Sequence, residues 1–228
     1  MQGRKVLDTN PKDTTPQKSS CPLCGEAEAE KYDKADGREY LHCPVCRLIF
    51  VPEQYWPSPE AERARYDQHQ NSPGDKGYLA FLETIATPLG QRLSPASFGL
   101  DYGCGPSPVL CEIIEKKGHT IDRYDPHYFP TPPNGPYDFI VSTETFEHFQ
   151  NPGEEITRLL SHLNAGGLLG VMTAFWSEKV FRANWHYRRD FTHLCFYRRE
   201  TMAWIAATFG LEILWSDEKR AIIFRYLP

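Results

Sequence analysis

The sequence predicts an α/β fold: a doubly wound, mostly parallel sheet, preceded by a small cysteine-held ribbon and a helical connector. Three observations predict it. From Ser97 onward, short apolar runs alternate with helical patterns, and glycine or proline marks most changes between them. A glycine turn, Gly103-Cys104-Gly105, follows the first of these runs and precedes a helical pattern. Ahead of both, the pairs Cys21/Cys24 and Cys43/Cys46 stand 18 residues apart, the spacing of a tetrahedral thiolate site.

Whole-chain properties narrow the reading. At 228 residues the chain can build one full core domain with a small appendage. Its composition, 40% hydrophobic and 24% charged, is that of a globular protein. The formal net charge of −5 argues against a tight hold on nucleic-acid backbone, although local patches can differ from the sum. No apolar run is long enough to span a bilayer, so no membrane crossing is expected. Residues 1–20 are polar, lack the apolar centre of a secretory signal, and read as a disordered tail. Seven cysteines in a chain without an export signal suit a cytoplasmic, reducing location, where paired cysteines indicate metal before disulfide.

In chain order, residues 21–52 form the ribbon, with Asp36-Gly37 as a tight hairpin turn between Tyr32 and Tyr40-Leu41-His42. Residues 53–95 form a helical connector or lid. Ser58-Pro59 starts a helix over about Glu60 to His69, and residues 71–74 break it. Tyr78, Phe81, Leu82 and Ile85 then give a second helix one buried face. Residues 96–228 form the main domain. Strands are expected to end at Asp101 and to cover Thr120–Tyr124, Tyr137–Ser142 and Leu168–Thr173, the last apolar enough to be buried on both faces. Helices are expected over Val109–Lys117, from Pro152 to about Leu163, and over Arg199–Phe209, with glycines at 118, 166–167 and 210 as stops. Glu212–Trp215 and Ala221–Tyr226 make a closing hairpin. There is no internal repeat.

The glycine turn lets the backbone bend sharply and a ligand lie against it. Asp125 follows Gly105 by 20 residues at the end of the next strand, where a carboxylate can accept both hydrogen bonds of a ribose diol. Pro108 stands where a nicotinamide fingerprint has its third glycine, so the following helix is poorly suited to a pyrophosphate. A ligand without phosphate loses nothing by this.

The segment from Ser97 onward resembles the class I S-adenosylmethionine-dependent methyltransferases. The matching pieces are Leu100-Asp101-Tyr102-Gly103-Cys104-Gly105, Tyr124-Asp125-Pro126, the strand Tyr137–Ser142 with Thr143-Glu144-Thr145-Phe146-Glu147-His148, and Leu163 to Leu169. The resemblance implies a Rossmann-like sheet of seven strands with the last reversed. It implies that Gly103 and Gly105 face the amino-acid part of S-adenosylmethionine, Asp125 its ribose and Thr143 the methionine end. Asp101 would orient the loop, and Tyr102 and Pro126 would complete this wall. Tyr66, His69 and Asn71 are lid candidates, because N-terminal helices fold over the cofactor in similar enzymes. Only residues 126–136, with five prolines, separate Asp125 from the next strand. The third strand is therefore expected to be shortened or missing, and no adenine contact is assigned.

Cys21, Cys24, Cys43 and Cys46 are expected to hold a structural Zn²⁺, with all four positions filled by protein. Cys104, Cys111 and Cys195 read as packing residues. Glu144, Glu147 and His148 share one face if a helical turn follows the strand. They could hold a divalent ion such as Mg²⁺, His148 could be a general base, or they could only shape the pocket. Similar turns bind a divalent ion in ubiquinone-pathway O-methyltransferases and small-RNA 2′-O-methyltransferases, and occur without one elsewhere. The long segment 175–199 also lies at this edge, where loops carry function. Trp185, His186, Tyr187, Arg188 and Arg189 are candidates to cover a planar substrate or grip an anionic one, and His193 or Asp190 to take a proton. The bland alternative is a lid packed by its aromatics.

The expected function is methyl transfer from S-adenosylmethionine to a small-molecule acceptor, at oxygen, with an anionic or aromatic substrate. One alternative is an RNA (tRNA or rRNA) methyltransferase with the ribbon as docking module. The acidic balance, and Ser142-Thr143-Glu144-Thr145 in place of an Asn-Pro-Pro-Tyr motif, stand against it. Another is a non-catalytic scaffold whose ribbon binds partners. The sequence sets no oligomeric state.

Overall fold

The computed structural model describes residues 20–68, 74–183 and 185–228. The expected tail (Ser20 apart), His69 and Asn71 lie outside these residues. The chain begins with two matching knuckles. Gly25 N–H donates to Cys21 O at 2.8 Å, and Arg47 N–H to Cys43 O at 3.1 Å. Gly25 and Arg47 both take positive φ, 76° and 63°, so each turn folds its two cysteines inward.

Between the knuckles lie β1 (Glu30–Ala35) and β2 (Arg38–His42), joined through Asp36 and Gly37 at φ 54° and 78°, the hairpin geometry expected of Asp-Gly. A short β3 (Ile49–Phe50) pairs with β2. The ribbon's fourth strand comes from far along the chain: β8 (Cys195–Phe196) pairs with β3, giving the order β1-β2-β3-β8. The ribbon is thus closed by the long segment after residue 175.

Two helices follow. Ser58 caps α1 (Pro59–Tyr66) by accepting from Ala61 N–H; the helix stops short of His69. Asp75 caps α2 (Lys76–Gly90), which buries Leu82, Ile85, Ala86 and Leu89.

The main sheet contains β4 (Phe98–Tyr102), β5 (Thr120–Tyr124), β6 (Tyr137–Thr143), β7 (Leu163–Met172), β9 (Leu211–Ser216) and β10 (Ala221–Tyr226). Their order is β5-β4-β6-β7-β10-β9, parallel from β5 to β7 with β10 antiparallel to both neighbours. Six strands stand where the resemblance implied seven. In place of the third strand, residues 125–136 form one isolated bridge, Asp125 to Phe129. Strand β7 starts at Leu163, earlier than expected. Its pairing skips from Tyr137↔Leu163 to Phe139↔Leu168, so Asn164–Gly167 loop out within the strand and α4 (Pro152–Leu160) ends sooner.

Alternation along the strands sorts the core. Phe139, Val141, Leu168 and Met172 face α2 and α3 (Val109–Lys116). Leu100, Ile140, Leu169 and Val171 face α4 and α5 (Arg199–Thr208), in a layer shared with Cys21, Cys43, Cys46 and Leu48 of the ribbon. A third cluster joins Tyr40 and Ile49 of the ribbon to Trp176, Phe181, Tyr187 and Phe196. Gly99 has no room for a side chain, because a Cβ there would overlap the Phe139 ring. Among the described residues no helix is long and apolar enough to cross a membrane.

Candidate active site

A cavity of about 1100 Å³ opens at the carboxyl ends of β4, β5 and β6. That edge is where ligands collect on parallel sheets. One wall is the glycine turn. Gly103 and Gly105 take φ 84° and 64°, and a Cβ on Gly103 would overlap the Thr145 side chain. The N–H groups of Gly103 and Cys104 both donate to Tyr124 O, at 2.8 and 3.1 Å, tying the turn to β5. Asp125 is buried and clamped by three amides: Gly105 N–H on Oδ2 at 3.1 Å, and His127 and Tyr128 N–H on Oδ1 at 2.9 and 3.2 Å. Tyr102, Pro126 and Thr143 also line this wall, with Tyr78 and Phe81 of α2 beside them. The Tyr102 hydroxyl donates to Glu155 at 2.7 Å.

Asp101 bonds none of the loop amides it was expected to orient. Its Oδ2 accepts from Cys111 Sγ at 3.5 Å, and its buried Oδ1 has no partner. Burial, aided by the charge of Asp125, pushes its carboxyl up to about 7. These features fit an adenosyl amino acid: a bare glycine bend and a fixed carboxylate for a diol. They do not fit a pyrophosphate. Pro108, at the head of α3, has no amide N–H to offer and makes no side-chain cap bond.

The opposite wall is a tight turn, Phe146–His148, facing the segment 186–193. His148 Nδ1 lies 3.0 Å from Thr192 O, and His193 Nδ1 lies 2.7 Å from Tyr187 O. A carbonyl only accepts, so both Nδ1 atoms carry hydrogen, and in a neutral ring it is then Nε2 that keeps the lone pair. The rings stand 4.8 Å apart. Burial, with the neighbouring His148, holds His193 well below the usual imidazole range. Tyr66 of α1 closes this side, its ring 5.1 Å from His148 and perpendicular to it.

The expected face of Glu144, Glu147 and His148 does not form. Glu144 sits at φ 49° at the end of β6, before the turn begins, so it is not one helical turn from Glu147. Burial, with the charge of Glu147, pushes its carboxyl well above the ordinary range. The residues brought together are Glu147, His148 and His193, with one ligand atom from each within 4.8 Å of the others.

Three further candidates need correction. Asp190, nominated to take a proton, has its oxygens occupied: Oδ1 accepts from Thr192 N–H and Oγ1–H, and Oδ2 pairs with Arg65 at 2.7 Å. Against its burial, the Thr192 bonds, His193 and Arg65 hold its carboxyl well below the usual range, so it is a poor base. Arg188 does not line the cavity. It is only 7% exposed and turns into the ribbon, pairing with Asp33 at 3.1 Å and Asp36 at 2.9 Å and donating to Phe181 O. Trp185 stacks on Tyr187 outside the cavity lining. His186, Tyr187 and Arg189 do line it. Arg65, Tyr78, Phe81 and His127 line it too; sequence reasoning missed them because nothing local marks which residues of α1, α2 or the turn after β5 face a cavity.

The four ribbon cysteines converge. Cys21 and Cys46 sulfurs are 3.5 Å apart and those of Cys24 and Cys43 3.4 Å, with all four within 4.8 Å of one another. Zinc–sulfur bonds of ~2.3 Å put tetrahedral sulfurs roughly 3.8 Å apart, so the set fits a closed thiolate site.

Comparison with known proteins agrees with this geometry. The model of a methyltransferase domain matches residues 76–215. An uncharacterised methyltransferase of Anoxybacillus flavithermus is 39% identical over 87 residues; the match covers 36% of this chain and 41% of that protein. The solved 1,6-didemethyltoxoflavin-N1-methyltransferase of Burkholderia thailandensis superposes with a TM-score of 0.56 at 12% identity, covering 88% of this chain and all of that one. The glycine bend, the clamped Asp125 and the six-stranded sheet with one reversed strand thus have one common explanation: the chain belongs to the methyltransferase domain family, and within it to the class I S-adenosylmethionine-dependent methyltransferases.

Proposed function

We propose that the protein transfers the methyl group of S-adenosylmethionine to an oxygen atom of a small, anionic or aromatic acceptor. The observation that carries this reading is one cavity holding the two required walls: the glycine turn with Asp125 on one side, two imidazoles with free Nε2 atoms on the other. When bound, the cofactor supplies a methyl group on a positively charged sulfur, ready for in-line displacement. The chain has to align the partners and exclude water. Gly103 and Gly105 let the amino-acid part lie against the backbone, Asp125 accepts from the ribose diol, and Thr143 lines the methionine end. Tyr66 and Tyr187 cover the reacting centre. Nε2 of His148, or of His193 behind it, takes the acceptor's proton. His186 and Arg189 supply polar and positive groups for the acceptor. The Burkholderia thailandensis enzyme was solved with 1,6-didemethyltoxoflavin and S-adenosylhomocysteine bound, which supports room for a small-molecule acceptor beside the cofactor in such a fold.

The four cysteines hold a structural Zn²⁺ that braces the ribbon and, through β8, the wall carrying His193. Reduced thiolates of this kind belong in a reducing compartment, the basis for a cytoplasmic location. The test is tritium transfer from labelled S-adenosylmethionine into a fractionated cell extract. Label in small metabolites is expected; label in RNA, or none, overturns the reading.

A further inference from the structure

We propose that Glu147, His148 and His193 form a second metal centre, for a divalent transition ion of the Mn²⁺ or Fe²⁺ class, opening into the cavity opposite the glycine turn. Glu147 carries the argument furthest. Its side chain is 0% exposed, and neither carboxylate oxygen meets hydrogen-bond geometry; the hydroxyl beside it, that of Tyr187, is shared with Thr173 Oγ1 and the Ala174 N–H. Burying an unpaired carboxylate is expensive, and a native fold rarely leaves both oxygens unused. A cation between it and the two imidazoles would satisfy both.

The imidazoles are prepared for this. Each donates its Nδ1–H to a backbone carbonyl, which fixes the ring and aims a bare Nε2 away from the carbonyl, as outer partners do at metal-bound histidines. The Thr192 carbonyl is itself held, because Asp190 grips Thr192 through its N–H and hydroxyl, and Leu194 N–H donates to Glu147 O at 2.7 Å. The three ligands come from two chain segments clamped directly to each other. The ligand atoms lie within 4.8 Å of one another; bonds of ~2.1 Å allow at most ~4.2 Å between ligands, so about half an ångström of closure completes the site.

The donor set selects the ion. Two imidazoles and one carboxylate suit first-row transition metals and leave coordination positions open, whereas Mg²⁺ and Ca²⁺ prefer oxygen throughout. His148 and His193 line the cavity, so the open positions face the acceptor. This deepens the proposed function and rests on it only for its role: an ion there would lower the pKa of an acceptor hydroxyl and relieve the imidazoles of proton transfer.

The test titrates Mn²⁺, which thiolates do not favour, into the zinc-loaded full chain near neutral pH. The signal of free aqueous Mn²⁺ in electron paramagnetic resonance reads binding. One Mn²⁺ per chain is expected, with affinity falling at least ~10-fold in Glu147→Gln and His193→Gln while zinc content and S-adenosylhomocysteine affinity hold. Should those variants misfold, the wild type still decides. Bound Mn²⁺ should broaden the NMR signals of His148 and His193 and spare His119 and His162, which stand at the opposite, amino ends of β5 and β7. Absence of binding at millimolar Mn²⁺, equal affinity in folded variants, or uniform broadening overturns the proposal. Wild-type protein that binds S-adenosylhomocysteine but no Mn²⁺ sinks this site alone; wild-type protein that binds neither sinks the methyltransferase reading too.

Discussion

The two walls of the cavity are built differently. The glycine-turn wall comes from residues 101–106 and 124–128, and backbone bonds fix it: two amides on Tyr124 O and three on Asp125. The imidazole wall draws on segments from one end of the chain to the other. Arg38 donates to the carbonyls of Arg188, Asp190 and Phe191, and Arg188 reaches back to Asp33 and Asp36. The first wall is local and asks little of the side chains outside Gly103 and Asp125. The second depends on the ribbon, and through it on the cysteine site. Cofactor binding and turnover should therefore be separable.

The largest expected effect comes from the cysteines. Cys43→Ser, or stripping zinc with a chelator, should destabilise the fold by several kcal/mol, read by thermal melting. Turnover should fall at least ~100-fold while any remaining folded protein still binds S-adenosylhomocysteine. Loss of both in parallel would break the distinction between the walls. Arg188→Met comes next. It leaves Asp33 and Asp36 without their buried partner at a cost of about 3–5 kcal/mol in denaturant unfolding, with cofactor affinity unchanged by calorimetry. A third prediction concerns Asp101, whose folded pKa of about 7 lies above the ordinary 3.8. Its contribution is fully present below about pH 4 and is lost as pH rises towards 7, because the unfolded chain then ionises and the folded one does not. Melting temperatures of wild type and Asp101→Asn should diverge across that window in the cofactor-free protein and run parallel above it. Smallest in stability, though direct in function, is Gly103→Ala. Positive φ and the collision with Thr145 cost roughly 1–3 kcal/mol, weakening S-adenosylhomocysteine by about 10- to 100-fold in calorimetry.

The same contrast explains what could be read in advance. The glycine turn, Asp125, the missing third strand and the cysteine knuckles are local patterns, and the chain displays them directly. The imidazole wall was only half legible. Glu147 and His148 are grouped with Glu144 by their spacing, but no spacing rule could put His193 in the place of Glu144; a backbone angle at Glu144 and the course of the chain after residue 175 decide that. Arg188 reads as a surface cation until Asp33 and Asp36, in a hairpin more than a hundred residues earlier, are brought beside it. Strand β8 is two residues long, too short for any periodicity to announce.

That short strand bears on synthesis at the ribosome. Ile49 and Phe50 emerge early, yet the strand that covers their outer edge is made only when Cys195 and Phe196 arrive. For most of translation the nascent ribbon carries an uncovered apolar rim of the kind that invites intermolecular pairing. Early metal capture at the four cysteines would limit that exposure, so starving cells of zinc should send newly made chains into aggregates before it harms those already finished.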